Sequence, residues 1–238
     1  MQGPAHPVRA RSMGGGMGRF SVTVGLVLVL SLGAPALADG TPEGGLPPAG
    51  AYHLDPQHAR LLVSVNHLGF SEYITLFKTF TADLGFDPAS PEKMSLSVSI
   101  DPTSIETFYG DPKLDFNAVI AGESFLDAAK YPAITFKSTA IRQTGPDAAA
   151  VTGDLTLHGV TKPVTLRVHY NGGYAGNPLD PAGARIGFSA EGAIFRSDFG
   201  MALGLPPAGS TMGIGDLVAI RIEVEFTNPN VSGVQVGP

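Results

Sequence analysis

Three stretches of the chain alternate strictly between apolar and polar residues. Met94, Leu96, Val98 and Ile100 alternate with Ser95, Ser97 and Ser99; Val164, Leu166, Val168 and Tyr170 alternate with Thr165, Arg167 and His169. Val218, Ile220, Ile222, Val224 and Phe226 alternate with Ala219, Arg221, Glu223 and Glu225. A period of two sends successive side chains to opposite faces of a pleated strand, so each stretch predicts a strand with one buried and one wet face. Looser alternation over 61–67, 78–86, 134–141, 151–158 and 186–195 predicts five more. Antiparallel sheets tolerate water on one side. Eight such strands with mostly local connections must protect their edges, and closing the sheet on itself does so. A barrel of about eight strands has an interior that side chains fill or that one small ligand occupies.

The interruptions refine this picture. Residues 159–163 (GVTKP) predict a tight hairpin, and Asn171-Gly172-Gly173 with 180–183 brackets a longer connection. The interval 101–132 does not alternate. Leu114, Val119, Phe125 and Leu126 stand there among Asp and Ala, which predicts one or two short helices. Asp111 followed by Pro112 reads as an N-cap with proline at the first helical position. The expected fold is therefore all-β: an eight-stranded antiparallel barrel whose short helical insert covers or plugs one end.

The ends of the chain read differently. Arg9, Arg11 and Arg19 precede an uncharged apolar run over 20–32, and Ala36-Leu37-Ala38 follows as a small-x-small cleavage signal. The run is too short for a membrane span, so 1–38 is expected to be a secretory signal peptide cleaved after Ala38. That places the protein in the periplasm or the extracellular medium, and no Cys is present to take a lipid anchor. Residues 39–50 are Pro/Gly-rich and predict a flexible leader; 51–227 form one domain; 228–238 predict a disordered tail.

Charge and composition then exclude several classes. The chain has 15 Lys and Arg against 21 Asp and Glu, a formal charge of −6. The first 38 residues hold three arginines and no acid, so the remainder carries −9. Nucleic-acid binding needs a basic footprint, which this is not. The absence of Cys excludes disulfides, a thiolate nucleophile and a zinc–thiolate centre. His53, His58, His67, His158 and His169 form no His-x-His pair on a strand, so no metal site is expected. Ser197-Asp198 beside Arg196, and Gly209-Ser210-Thr211, lack the strand–elbow–helix setting of a hydrolytic serine. No phosphate-binding or dinucleotide fingerprint occurs either, so neither cofactor nor catalysis is expected.

The phenylalanines are the distinctive feature. The chain after residue 38 has 12 Phe and no Trp. Phe70, Phe77, Phe80, Phe86, Phe108, Phe116, Phe125, Phe195 and Phe199 fall outside the cleanly alternating faces. They read either as core packing or as the wall of an apolar tunnel, since ligand pockets are mostly apolar with a few orienting polar groups. The loop 201–215 (MALGLPPAGSTMGIG) reads either as a plain connection or as a flap at a pocket mouth.

Several motifs resemble one family. The runs Tyr52-His53-Leu54-Asp55-Pro56-Gln57-His58 and Val63-Ser64-Val65-Asn66-His67-Leu68-Gly69-Phe70-Ser71 resemble the opening of the YceI-like proteins. So do Tyr131-Pro132-Ala133-Ile134-Thr135-Phe136-Lys137-Ser138, then Gly153-Asp154-Leu155-Thr156-Leu157-His158-Gly159-Val160-Thr161-Lys162-Pro163-Val164. Arg196-Ser197-Asp198-Phe199-Gly200 and Gly215-Asp216-Leu217-Val218-Ala219-Ile220 complete the order. The resemblance spans about 52–226. It implies a lipocalin-like barrel that binds long isoprenoid chains such as polyprenyl lipids or isoprenoid quinones, outside the cytoplasm, often as a homodimer. Storage or transport of such a lipid, with transient membrane contact, is the function it implies; the alternative is a secreted stress-response or interaction module whose barrel is filled by its own side chains. With the aromatic excess, the resemblance selects Phe70, Phe77, Phe80, Phe108, Phe116, Phe125, Phe136, Phe195, Phe199 and Met201 for the tunnel. It selects His67, Arg196 and Asp198 for a polar mouth, Arg196 donating to a phosphate or quinone oxygen and Asp198 holding the guanidinium.

Overall fold

The computed structural model describes residues 45–231. Among these residues ten strands follow in order: β1 (Gly50–His67), β2 (Ser71–Phe77), β3 (Phe80–Phe86), β4 (Ser95–Ile100), β5 (Ile105–Glu106), β6 (Ile134–Gly145), β7 (Ala148–Leu157), β8 (Val160–Tyr174), β9 (Ala184–Phe195) and β10 (Ile214–Asn228). One α-helix, α1 (Phe116–Ala121), lies between β5 and β6. The sheet runs β10-β9-β8-β7-β6-β4-β3-β1, and β10 pairs with β1 to close it. Every pairing is antiparallel.

Ten strands make only eight staves. The start of β1 pairs with β3 and its end, Leu61 to His67, pairs with β2. β2 and β3 are thus two halves of one stave, broken at Lys78-Thr79. β5 continues the stave of β4 alongside β2. The break is sealed by three hydrogen bonds: Lys78 N–H donates to the Ser104 carbonyl, Thr79 N–H to Ser104 Oγ, and Asp101 N–H to the Thr79 carbonyl.

Three local expectations are corrected. β1 starts at Gly50 rather than near Leu61. Its register against β10 slips between Leu54 and Ala59, and this bulge accommodates Pro56, which cannot donate to a ladder. The helix begins at Phe116, capped by Asp115 Oδ1 accepting from Ala118 N–H at 3.0 Å. Asp111 instead closes a turn before it, accepting from the N–H groups of Lys113 and Leu114. The hairpin expected over 159–163 turns earlier, on His158 and Gly159, both at positive φ as a two-residue twisted turn requires.

The end of the barrel holding the β6–β7 and β8–β9 connections is plugged by rings. Tyr52, Phe86, Tyr170, Phe188 and Phe226 form a chain with successive centroids 5.6, 6.4, 5.6 and 6.1 Å apart. Aromatic pairs of this kind contribute about 0.5–1.5 kcal/mol each beyond their buried area. Tyr52 is fully buried, and burial, reinforced by Tyr170, pushes its phenol up to about 12. Its hydroxyl donates to the Pro48 carbonyl. Ala175 N–H donates to the Gly45 carbonyl and Pro47 is buried, so the part of the expected leader from 45 onward is attached to the barrel. Asn228, expected in the tail, is still in β10 opposite Ala184. The signal-peptide reading falls on residues outside the described 45–231, as does the tail beyond 231.

Candidate functional site: an apolar cavity with one exposed rim

A cavity of about 560 Å³ runs inside the barrel. That is within the range of roughly 300–1,000 Å³ typical of small-molecule sites. The alternating strands build its wall directly: Leu96, Val98 and Ile100 of β4, Val164, Leu166 and Val168 of β8, and Val218, Ile220, Ile222 and Val224 of β10 all face it. Their polar neighbours Ser95, Ser97, Thr165, Arg167, Arg221 and Glu223 do not. The side-chain polar groups in the wall come from Ser64, His67, Tyr73, Thr75, Tyr109 and Arg196.

Two of the lining residues locate the mouth. Among the described residues, only His67 and Tyr109 both line the cavity and are exposed to solvent. They stand at the end opposite the aromatic plug, where β1 turns into β2 and the segment after β5 begins. A row of rings joins them: His67 to Tyr73 at 6.4 Å, Tyr73 to Phe116 at 6.1 Å, and Phe116 to Tyr109 at 5.0 Å. α1 contributes Phe116 and Ile120 to the wall, and the turn after it contributes Phe125 and Leu126. The helix is short but held from outside. Asn117 Oδ1 accepts from Thr107 N–H at 2.8 Å and from Thr107 Oγ1 at 2.6 Å, while Tyr73 Oη donates to the Thr107 carbonyl. Asn117 also donates to Glu106, whose carboxyl is held below its usual range by Lys78, the Phe108 N–H and Asn117.

Of the residues selected from sequence, Phe77, Phe80, Phe116, Phe125, Phe136, Met201, His67 and Arg196 line the cavity. Five do not. Phe70 sits on the β1–β2 turn and Phe108 just after β5, both facing solvent. Phe195 ends β9 on its outer face, paired with Leu217 of β10, because its inward neighbours are Ile194 and Arg196. Phe199 is buried at 2 % exposure in the core outside the cavity wall. Asp198 accepts from Lys162 Nζ at 2.8 Å on the surface and does not hold Arg196.

Arg196 has other partners. Its guanidinium donates to the carbonyls of Gly215 (2.8 Å), Leu203 (3.0 Å) and Ile214 (2.9 Å). Burial lowers its pKa, with Asp216 opposing that effect. Asp216 in turn accepts from Ser197 N–H and Ser197 Oγ. The 201–215 loop is therefore fastened to the barrel near both ends. The phenylalanines mark only part of the wall, most of which is aliphatic, and do not mark the mouth tyrosines Tyr73 and Tyr109. The alternation itself was the signal for the aliphatic wall. Tyr73 sits in β2, where Ile74 and Leu76 face outward and blur the pattern.

A second polar cluster lies on the outer wall near the plugged end. Asp55, His58 and Glu225 bring ligand-type atoms within 4.8 Å of one another. A protein cation already takes this position: Arg185 Nη1 contacts Asp55 at 2.8 Å and Glu225 at 2.5 Å, and its Nε contacts Asp180 at 2.7 Å. The Arg185 guanidinium thus ties three carboxylates together across β1, β10 and the β8–β9 connection.

The closed eight-stave sheet, plugged at one end and lined by aliphatic side chains around an internal cavity, defines a lipocalin-like barrel. Residues 52–226 match the YceI-like domain, and the chain belongs to the YceI-like family. Among curated relatives, a UPF0312 protein of Pseudomonas savastanoi is 37 % identical over 178 residues, covering 74 % of this chain and 88 % of the relative. One from Pseudomonas putida is 40 % identical over 171 residues, covering 70 % and 85 %. Among solved structures, BcnA of Burkholderia cenocepacia aligns with a TM-score of 0.60 at 28 % identity, covering 72 % of this chain and 98 % of that one. A YCEI protein of Campylobacter jejuni aligns at 0.57 and 32 % identity, covering 68 % and 88 %. A polyisoprenoid binding domain from Saccharophagus degradans shares the fold at 0.52 and 15 % identity, covering 75 % and 98 %.

Proposed function

We propose that the protein binds a long-chain isoprenoid lipid, a polyprenyl lipid or isoprenoid quinone, in the barrel cavity, and stores or carries it outside the cytoplasm. The observation that carries this reading is the cavity itself: about 560 Å³, walled by aliphatic and aromatic side chains, with its two exposed lining residues at one end. A branched hydrocarbon has no hydrogen-bonding groups, so it needs length and apolar walls. Because the far end is plugged by five rings, the tail enters first and the polar head remains by His67, Tyr73 and Tyr109. The family and the polyisoprenoid-binding neighbour support the choice of cargo.

The energetics suit reversible loading. Burial from water contributes about 0.8 kcal/mol per CH₂, so a forty-carbon tail would exceed about 30 kcal/mol. Affinities saturate near about 18–21 kcal/mol. The tail comes from a bilayer, however, which solvates it about as well as the cavity does, and transfer is then near neutral.

Native mass spectrometry tests this. After incubation with polyprenol or quinone vesicles, the protein is expected to carry an adduct of the lipid's mass. Ala190 lines the cavity between Val168 and Ile222. Ala190→Phe puts a ring into the bore and is expected to abolish the adduct. A clean unliganded mass for the wild-type protein would overturn the proposal.

A further inference from the structure

The mouth end of the barrel carries apolar side chains that the cavity does not use. Phe70 is 79 % exposed, Phe108 65 % and Met212 60 %. They belong to three separate segments that flank the two exposed lining residues, His67 and Tyr109. Phe70 follows Leu68 and Gly69, both at positive φ, in a turn that is firmly held. Leu68 N–H donates to the Gly213 carbonyl, Gly69 N–H to Asn66 Oδ1, and Phe70 N–H to the His67 carbonyl. A Cβ at Gly69 would lie 2.6 Å from Thr211 Oγ1, so this turn packs directly against the segment bearing Met212. Across the mouth, Phe108 adopts φ 55, a conformation strained for a bulky residue, and still aims its ring at water. Its backbone is fixed there by its N–H bond to Glu106 Oε1 and by the Thr107–Asn117 pair before it. Strain held in place by such bonds, at a ring left largely in water, points to use of that ring.

We infer that this end of the barrel is a bilayer-docking surface. Phe70, Phe108 and Met212 enter the lipid interface and bring the mouth between His67 and Tyr109 onto it, so that a hydrophobic cargo passes between membrane and cavity without crossing water. The inference rests on the cavity being a lipid site. Separate apolar tips suit a bilayer, which needs no complementary shape, better than they suit a folded partner. The charges nearby select the kind of surface. Glu72 lies beside Asn66, Lys78 is paired with Glu106, and Asp111, Lys113 and Asp115 follow in the insert. This is no basic cluster of the kind that seeks anionic headgroups. Docking is thus apolar, works on neutral phosphatidylcholine and changes little with salt.

The test uses phosphatidylcholine vesicles with the full chain and with the double variant Phe70→Ser, Phe108→Asn. Both side chains are exposed, and Asn tolerates positive φ, so the fold is kept. Flotation with vesicles is expected to fall at least tenfold in the variant, and transfer of a fluorescent polyprenol between vesicles to slow in parallel. Binding of the same polyprenol delivered from detergent is expected to be unchanged. Wild-type protein that does not float, or a variant that floats and transfers like wild type, overturns the inference. So does a variant whose only change is loss of a concentration-dependent dimer, because a second copy then covers the patch. Flotation that depends on Phe70 and Phe108, in a protein that binds no polyprenol even from detergent, would sink the carrier reading and leave the docking surface standing.

Discussion

The ring of Phe136 lies over the backbone of Gly153 on the neighbouring strand: a Cβ built at Gly153 would sit 2.4 Å from Phe136 Cζ and 2.6 Å from the Lys137 carbonyl oxygen. The glycine lets a cavity-lining aromatic lie flat against the wall instead of projecting into the bore. Gly153→Ala must push Phe136 inward, shift the β6–β7 ladder, or both. Overpacking of this kind costs about 1–3 kcal/mol. An unfolding free energy lowered by that amount in urea titration, with weakened lipid uptake, is expected. An unchanged midpoint would mean that the two strands part without resistance.

Arg196 fastens the 201–215 loop by satisfying three backbone carbonyls at once. Arg196→Met keeps the aliphatic stem but leaves the Leu203, Ile214 and Gly215 oxygens without that donor, at about 1–3 kcal/mol for each one left buried and unpaired. Arg196→Lys reproduces the charge but not the planar fork, so it is expected to rescue little. Hydrogen exchange should show faster exchange at the Ile214 N–H, which donates to Gly204, and at the Leu68 N–H, which donates to Gly213. Protection equal to wild type in Arg196→Met would show that the loop is held by other contacts.

Much of the barrel was legible because β4, β8 and β10 each bury one face and wet the other. Where that condition fails, so does the pattern. β2 carries Ile74 and Leu76 on its outer face and Thr75 on its inner one, which inverts the expected polarity. The first half of β1 contains Asp55 and Pro56 at a bulge. The site was legible as an apolar interior, but not residue by residue. Composition flags every Phe equally, whereas pleat parity decides that Phe136 faces the bore and Phe195 faces water. Asp198 follows Arg196 by two residues and invites a pairing. The short turn Arg196–Phe199 sends the two side chains apart, one to backbone carbonyls and the other to Lys162.

That parity separates two phenylalanines by experiment. Phe195 lies on the outer wall against Leu217, and Phe116 lies in the cavity wall between Tyr73 and Tyr109. Phe195→Ser is expected to leave lipid binding unchanged and to alter stability by no more than about 1 kcal/mol. Phe116→Ser widens the mouth and is expected to speed release of a fluorescent polyprenol severalfold. Equal release rates in the two variants would remove α1 from the path of the cargo.

The carboxylates around Arg185 make an acid-dependent contribution on the opposite half of the barrel. Burial alone would raise the Asp55 carboxyl; hydrogen bonds from Arg185, His58 and the Gln57 N–H outweigh it and hold the group at about 2. Asp180 is lowered further by Arg185 and by the Tyr174 hydroxyl, against a smaller effect of burial. Both folded values lie below the ordinary value of about 3.9, so the unfolded chain takes up protons first on acidification. Their stabilisation is complete above about pH 5 and is lost progressively as the pH falls toward about 2. Arg185 is 17 % exposed, so Arg185→Met is expected to cost about 2–3 kcal/mol at pH 7, below the roughly 3–5 kcal/mol of a fully buried pair. The variant has little left to lose on acidification. Its urea midpoint should therefore approach that of the wild type between about pH 5 and pH 2.5. A gap as wide at the lower pH as at pH 7 would show that Arg185 stabilises by packing its stem rather than by holding charged carboxylates.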